Sequence, residues 1–189
     1  MKLVIIEGTD NTGKDTLISK LLEKFPTATL IHCGKPFSKK YSSKEQDELF
    51  KIYAKNIVEG KYDNTHIIIM NRSHIGEYVY GVLYRHRDVD EVEHMIIDIN
   101  NILYSRKDLT IKYIQLLCSS EELLHNNEDG KSLSNGNIDN INQEVLMFHN
   151  IFDNTNILDY DKKLIFVNDG DKFKTREHIF NEVIKFINN

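Results

Sequence analysis

Residues 2–16 read Lys2-Leu3-Val4-Ile5-Ile6-Glu7-Gly8-Thr9-Asp10-Asn11-Thr12-Gly13-Lys14-Asp15-Thr16. An apolar run stops at a glycine, which predicts a short buried strand. Beyond Lys14, the residues Leu17, Ile18, Leu21 and Leu22 recur at helical spacing, and the segment stops before Pro26, which predicts a helix. Between the two, Gly8 to Lys14 fits G-x-x-x-x-G-K in the strand–loop–helix context that this motif requires. Glycines let the backbone turn tightly and aim successive N–H groups at phosphate oxygens. The helix N-terminus favours the same negative charge, and Lys14 adds a point charge. Gly8, Asn11, Thr12, Gly13, Lys14, Asp15 and Thr16 are thus the candidate ATP-binding set. A Ser or Thr usually follows the lysine and binds Mg2+. Here Asp15 stands there with Thr16 behind it, and these two are the candidate metal ligands. A cap on the first helical turn is the plainer role for Asp15.

Outward from this loop the pattern alternates. Apolar runs at Ala28–Cys33, Thr65–Met70, Leu109–Cys118 and Lys163–Val167 predict four more strands. Helical spacing covers Ser43–Glu59, about 73–84, 88–105, 121–125, a stretch ending near Phe152, and 173–187. Residues 126–142 are rich in Asn, Gly, Ser and Asp and read as a loop. Strands alternating with helices predict an α/β doubly wound parallel sheet of five strands, helices on both faces, as one domain over 1–189. In such sheets ligands bind beyond the carboxyl ends of the strands.

Composition narrows the function classes. The chain has 189 residues, with 24 Lys plus Arg against 29 Asp plus Glu, a formal charge of -5. That balance argues against a whole-domain nucleic-acid binder. Two cysteines, Cys33 and Cys118, cannot form a disulfide scaffold or a four-cysteine zinc site. No apolar stretch reaches the ~20 residues of a membrane helix, and the N-terminus does not read as a signal peptide. The expectation is a soluble, reduced, cytoplasmic protein with small-molecule partners. Only five basic residues are arginines: Arg72, Arg85, Arg87, Arg106 and Arg176.

Ile6-Glu7-Gly8-Thr9-Asp10, with Gly13-Lys14 after it, resembles the thymidylate kinase family. Asn71-Arg72 stands where that family carries Asp-Arg, and Tyr80 where it has an aromatic beneath the deoxyribose. Arg106-Lys107-Asp108-Leu109-Thr110 is similar to its Arg-Pro-Asp-Leu-Thr. The resemblance implies a P-loop nucleoside monophosphate kinase with a lid at about 126–142, Mg2+ and ATP as cofactors, dTMP as acceptor, and a homodimer. It implies that Asp10 approaches the acceptor 3′-hydroxyl and that Arg72 touches the acceptor phosphate. Three positions differ from the family. Asn71 replaces an Asp, the lid has Lys131 and no arginine, and Gly34-Lys35-Pro36-Phe37 replaces the family's wording after the second strand. The gain of a carboxylate at Asp15 and the loss of one at Asn71 suggest an exchange of roles at the metal.

A phosphorylated acceptor needs cations at strand ends. Lys14, Arg72 and Lys131 are the expected catalytic residues. Asp10, Lys35, Arg72 and Tyr80 are the expected acceptor-binding set. Glu77 reads as a cap or a metal-side acid, and Arg85 as a cation closing a helix. Residues 168–171 (Asn-Asp-Gly-Asp) follow the last strand and are the expected adenine loop. Two other readings stay open. One is a deoxynucleoside kinase, which would want a carboxylate base after the second strand. The other is a nucleotide-binding module without catalysis.

Overall fold

A computed structural model describes residues 1–33, 43–128, 130 and 132–189. Lys35 and Lys131 lie outside the described residues, as do Lys39 and Lys40. The elements run β1 (Lys2–Gly8), α1 (Lys14–Lys24), β2 (Thr29–His32), α2 (Ser43–Val58), β3 (Ile67–Asn71), a 3-10 turn (His74–Gly76), α3 (Glu77–Arg85), α4 (Val89–Tyr104), β4 (Thr110–Leu117), α5 (Glu121–Asn126), α6 (Ile138–Asp153), β5 (Asp161–Phe166), a short antiparallel hairpin of β6 (Asn168–Asp169) and β7 (Lys172–Phe173), and α7 (Arg176–Asn188).

The main sheet has five parallel strands in the order β2-β3-β1-β4-β5. The α/β doubly wound expectation holds. The apolar run of β1 explains why. Leu3 and Ile5 point into one core with Phe50, Ile96 and Phe148, while Val4 and Ile6 point into another with Leu17, Leu21 and Val183. A strand covered on both faces needs apolar residues at every position, so its sequence is continuous and not alternating. The chain builds β2 and β3 on one side of β1, and β4 and β5 on the other. The crevice beyond the carboxyl end of β1 is the site position that such an order creates.

Several boundaries differ from the sequence reading. The loop expected at 126–142 ends earlier. Asn137 caps α6, its side chain accepting from Asn140 N, so an Asn-rich stretch that reads as loop contains a helix start. The helix expected from about 73 begins as the 3-10 turn, capped by Ser73. The closing helix starts at Arg176, behind the Thr175 cap. Of α4, Val92, Met95, Ile96, Ile99 and Leu103 are core, and Val89, Ile97 and Tyr104 stay exposed. Among the described residues no helix is long and apolar enough to cross a membrane.

Candidate active site

Gly8 ends β1 with φ +141°, and a Cβ there would lie 1.9 Å from the carbonyl oxygen of Leu116 on β4. Only glycine fits. Gly13 caps α1 in the left-handed region, φ +80°, with open space around it. Thr12 Oγ1 donates to Thr9 O at 2.8 Å, which closes the loop on itself. Lys14 is buried and its Nζ donates to Gly8 O at 2.9 Å and Thr9 O at 2.5 Å. Burial, with the nearby Arg72 charge, pushes its ammonium down to about 8, against the pull of Asp10, Glu7 and Asp15.

The loop forms one wall of a cavity of about 840 Å3. His32 and Arg72 stand at strand ends on another wall, and Phe173, Lys174 and Arg176 at the far end. The expected adenine loop is not on that wall. Asn168 is buried instead and works as a brace. Its Oδ1 accepts from Ser119 N at 2.9 Å, and its Nδ2 donates to Gly170 O at 2.7 Å. The β6–β7 hairpin thereby turns Phe173 and Lys174 toward the cavity, two residues that the sequence reading missed because their contribution depends on the hairpin.

Arg72 follows β3 in the left-handed region, φ 63°. Its guanidinium pairs with Asp10 and lies 5.1 Å from the centre of the Tyr80 ring. Tyr80 OH donates to Gly8 O at 3.2 Å. Three residues expected on the acceptor side, Asp10, Arg72 and Tyr80, thus meet around the loop. Beneath them Glu7 is fully buried. Ser73 Oγ donates to its Oε1 at 2.9 Å and Gly76 N at 3.2 Å. Burial pushes this carboxyl up to about 7, against Arg72, Ser73 and Lys14.

A second, narrow pocket of about 30 Å3 opens here. It is lined by Glu7, Phe50, Glu77, Tyr80 and Arg85, with Leu133 from the loop after α5. Glu77 stands in the first turn of α3, where an acid suits the helix start, and its carboxylate is also held by side chains from outside that turn. It accepts from Gln46 Nε2 at 2.8 Å, Arg85 Nη2 at 2.5 Å and Arg87 Nη1 at 3.5 Å. Arg85 is therefore a paired pocket residue and not simply a helix-end cation. Among the described residues, Arg72 alone lines both the large cavity and this pocket. Glu144 of α6, also missed, is buried and accepts from Tyr84 OH at 2.5 Å. Burial pushes its carboxyl up to about 7.

The loop after α5 is tied to the phosphate loop. Glu128 accepts from Gly130 N at 2.9 Å, Ser132 N at 3.3 Å and Ser132 Oγ at 2.5 Å, and from Asn11 Nδ2 at 3.2 Å. At the mouth of the phosphate loop, Asn71 Nδ2 donates to Asp15 Oδ1 at 2.9 Å and to His32 Nδ1 at 3.0 Å. Thr16 lines the cavity behind Asp15. Asn71 Oδ1 is buried and has no hydrogen-bond partner among the described residues. The Asp15 carboxylate and the Thr16 hydroxyl are oxygen donors that suit a hard divalent ion. Among the described residues no three His, Cys, Asp or Glu side chains gather into a metal cluster, so such an ion would draw its other ligands from nucleotide phosphate and water.

No protein-family profile matches the chain, and no curated protein matches it. Solved structures do. The YorR protein from Bacillus subtilis, in complex with phosphorylated GDP, matches with a TM-score of 0.66 at 15% identity, over 98% of this chain and 95% of that one. A thymidylate kinase from Candida albicans gives 0.61 at 19% identity, over 98% and 90%. A deoxyadenosine kinase from M. mycoides, with dCMP and dCDP bound, gives 0.56 at 15% identity, over 100% and 99%. The chain has the α/β P-loop kinase fold.

Proposed function

We propose that this chain transfers the γ-phosphoryl group of ATP to a deoxynucleoside monophosphate, with dTMP the best acceptor. One observation carries the reading: Arg72 stands between the phosphate-loop cavity and the second pocket, so one cation borders both substrates. An acceptor phosphate oxygen attacks the γ-phosphorus, the bond to the β–γ bridging oxygen breaks, and ADP leaves. Little covalent chemistry is asked of the protein, which must position both phosphates and offset their charge.

Lys14 exchanges the carbonyls of Gly8 and Thr9 for β- and γ-phosphate oxygens, whose charge holds it protonated. Backbone N–H groups of Asn11, Thr12 and Gly13 cradle the same phosphates, and Asp15 and Thr16 complete the set. Arg72 turns from Asp10 toward the acceptor phosphate, which frees Asp10 for the 3′-hydroxyl. Tyr80 lies under the deoxyribose. Phe173 offers its ring to adenine. Mg2+, held by Asp15 and Thr16, would supply charge neutralisation at the β- and γ-phosphates. Lys35 and Lys131 complete the reading. Lys35 follows Cys33, which lines the second pocket. Lys131 lies between Gly130 and Ser132, both bonded to Glu128, which is itself tied to Asn11.

A pocket of about 30 Å3 holds a water and not a nucleoside, so acceptor entry needs Leu133 and its loop to swing out. A nucleoside acceptor is the second reading, favoured by Glu7, whose near-neutral carboxyl in this pocket could take a proton from a 5′-hydroxyl. Dimerisation through the exposed Leu49 and Ile52 of α2 and Ile97 of α4 belongs to the first reading and is read by analytical ultracentrifugation.

The deciding experiment offers ATP with Mg2+ and each deoxynucleoside, then each deoxynucleoside monophosphate, and follows ADP and product. Conversion of dTMP to dTDP is the expected result. Turnover of nucleosides alone moves the assignment to the second reading. ATP binding with no acceptor turned over removes both.

A further inference from the structure

We propose that Glu144 is a positioning residue for the acceptor, which takes up a proton from solvent when Arg72 leaves Asp10 and, as a neutral acid, holds Asp10 toward the acceptor's 3′-hydroxyl. The inference rests on the reading above only in taking the acceptor phosphate as the group that draws Arg72 away.

Glu144 lies on α6, yet it borders the phosphate loop and is only 1% exposed. A third cavity, of about 10 Å3, lies between them. Thr9 and Asp10 line it from the phosphate loop, Glu128 and Ser134 from the loop after α5, and Glu144 from α6. Three carboxylates thus border a space with room for about one water, and among the described residues that line it none is basic. Among the described residues no three such side chains gather closely enough to hold a metal ion, so a proton is the cation this space can take. Thr9 Oγ1 lines it too, on a residue 1% exposed, and has no hydrogen-bond partner among the described residues. It calls for a neighbour that can both give and take a hydrogen bond, which a protonated carboxyl or a water does.

The charges around Glu144 make its proton depend on the substrates. Tyr84 OH of α3 donates to its Oε1 at 2.5 Å, and Tyr80 is stacked on Tyr84 with ring centres 6.3 Å apart. Burial pushes the carboxyl up to about 7, and Asp10 pushes the same way, against the Tyr84 hydrogen bond, Lys14 and Arg72. Those two cations are the ones that substrates recruit. Lys14 turns to the nucleotide phosphates and Arg72 to the acceptor phosphate. Glu144 then faces Asp10 with less positive charge nearby, and two carboxylates at one site favour a single shared proton. It goes to Glu144, the more deeply buried of the pair, because burial disfavours the charged form. Neutral Glu144 keeps Oε1 as the acceptor for Tyr84 OH and offers its Oε2–H to Asp10, directly or through one water. Asp10 stays ionised, and its other oxygen accepts from the 3′-hydroxyl.

The test follows the Glu144 carboxyl by 13C NMR in the full chain, made with 13C-labelled glutamate, as pH is varied. Glu144→Gln identifies the signal by its loss. In the free protein, Asp10→Asn, which keeps an acceptor for Arg72, should lower the proton affinity of Glu144 about 3-fold or more, and Arg72→Gln should raise it about 10-fold or more. Circular dichroism checks that the variants fold. AMP-PCP, an ATP analogue that is not cleaved, should raise it in the same direction when added with Mg2+ and dTMP. In turnover, the wild-type KM for the acceptor should rise about 10-fold from about pH 7 to about pH 9 while kcat changes less, and Glu144→Gln, a neutral mimic of the protonated acid, should hold the low KM throughout. An unchanged midpoint in Asp10→Asn or Arg72→Gln, or an alkaline rise of KM that survives Glu144→Gln, overturns the inference. Shifted midpoints in both variants with no response to dTMP would defeat the transfer reading alone. A successful monophosphate screen with unshifted midpoints would defeat this inference alone.

Discussion

Asn71 Nδ2 donates to Asp15 Oδ1 at 2.9 Å across the mouth of the phosphate loop. Two of the positions at which the sequence departs from the pattern it resembles are therefore in direct contact. One supplies the carboxylate and the other the neutral amide that can sit against it. Two unit charges about 4 Å apart interact by roughly 1–4 kcal/mol between bulk water and a protein surface. An acid at both positions would carry that repulsion.

N71D should therefore weaken AMP-PCP binding in EDTA by about 10-fold or more, from the charge repulsion alone. The loss should shrink when a divalent ion is added. D15S in the same chain should restore the metal-free affinity. Isothermal titration with and without metal measures all three, and unchanged metal-free binding in N71D would contradict the pairing.

The two loop glycines should respond differently to alanine. Gly8→Ala places a Cβ 1.9 Å from a backbone oxygen of β4, a clash that only backbone movement relieves. It should destabilise the fold by more than about 3 kcal/mol. Gly13→Ala meets open space and pays for left-handed backbone alone, about 1–2 kcal/mol. Denaturant midpoints rank the two variants.

Glu128 organises the loop after α5 as an acceptor. E128A removes the partner of Gly130 N, Ser132 N, Ser132 Oγ and Asn11 Nδ2 together. Amide exchange at Gly130 and Ser132 should speed up by about 10-fold or more, given roughly 1.5–3 kcal/mol for a hydrogen bond to a charged group. Exchange in β1 and β4 should stay as it was, which separates loop opening from global unfolding.

His74 predicts a pH dependence of stability. It is buried, its Nε2 donates to Asn100 Oδ1 at 2.8 Å, and burial pushes its imidazole from 6.5 down to about 4. Between those values the unfolded chain takes a proton that the folded chain does not. Stability is thus held above pH 6.5 and falls as pH drops toward 4, by up to about 3 kcal/mol. Glu7 and Glu144 act in the opposite direction, losing stability as pH rises from 4.5 toward 7, so the comparison must be with a variant. His74→Gln keeps a donor toward Asn100 and lacks the acid-side loss, so in denaturant titrations the wild type should lose up to about 3 kcal/mol relative to the variant as pH falls from 6.5 to 4.

The contiguous sequence by itself determined the phosphate loop and the sheet. Gly13 is demanded by local backbone geometry, Gly8 also by the close approach of Leu116 on β4, and the unbroken apolar runs follow from strands buried on both faces. Arg72 stood out because it directly follows a buried strand, whereas Asp10 and Tyr80 were marked by the resemblance, and the structure brings the three together around the loop. The loop expected at 126–142 was drawn too long because an Asn that caps a helix looks like an Asn in a loop. Tertiary structure alone decided the rest. Asp15, His32 and Asn71 meet because β2, β3 and β1 lie side by side in that order. Glu77 and Arg85 meet Gln46 because α3 faces α2 across the second pocket. Glu144 reaches Tyr84 because α6 packs on α3. Local periodicity encodes which face of an element is buried, but not which element lies beside it. Side chains separated by tens of residues converge only once strand order and register are set.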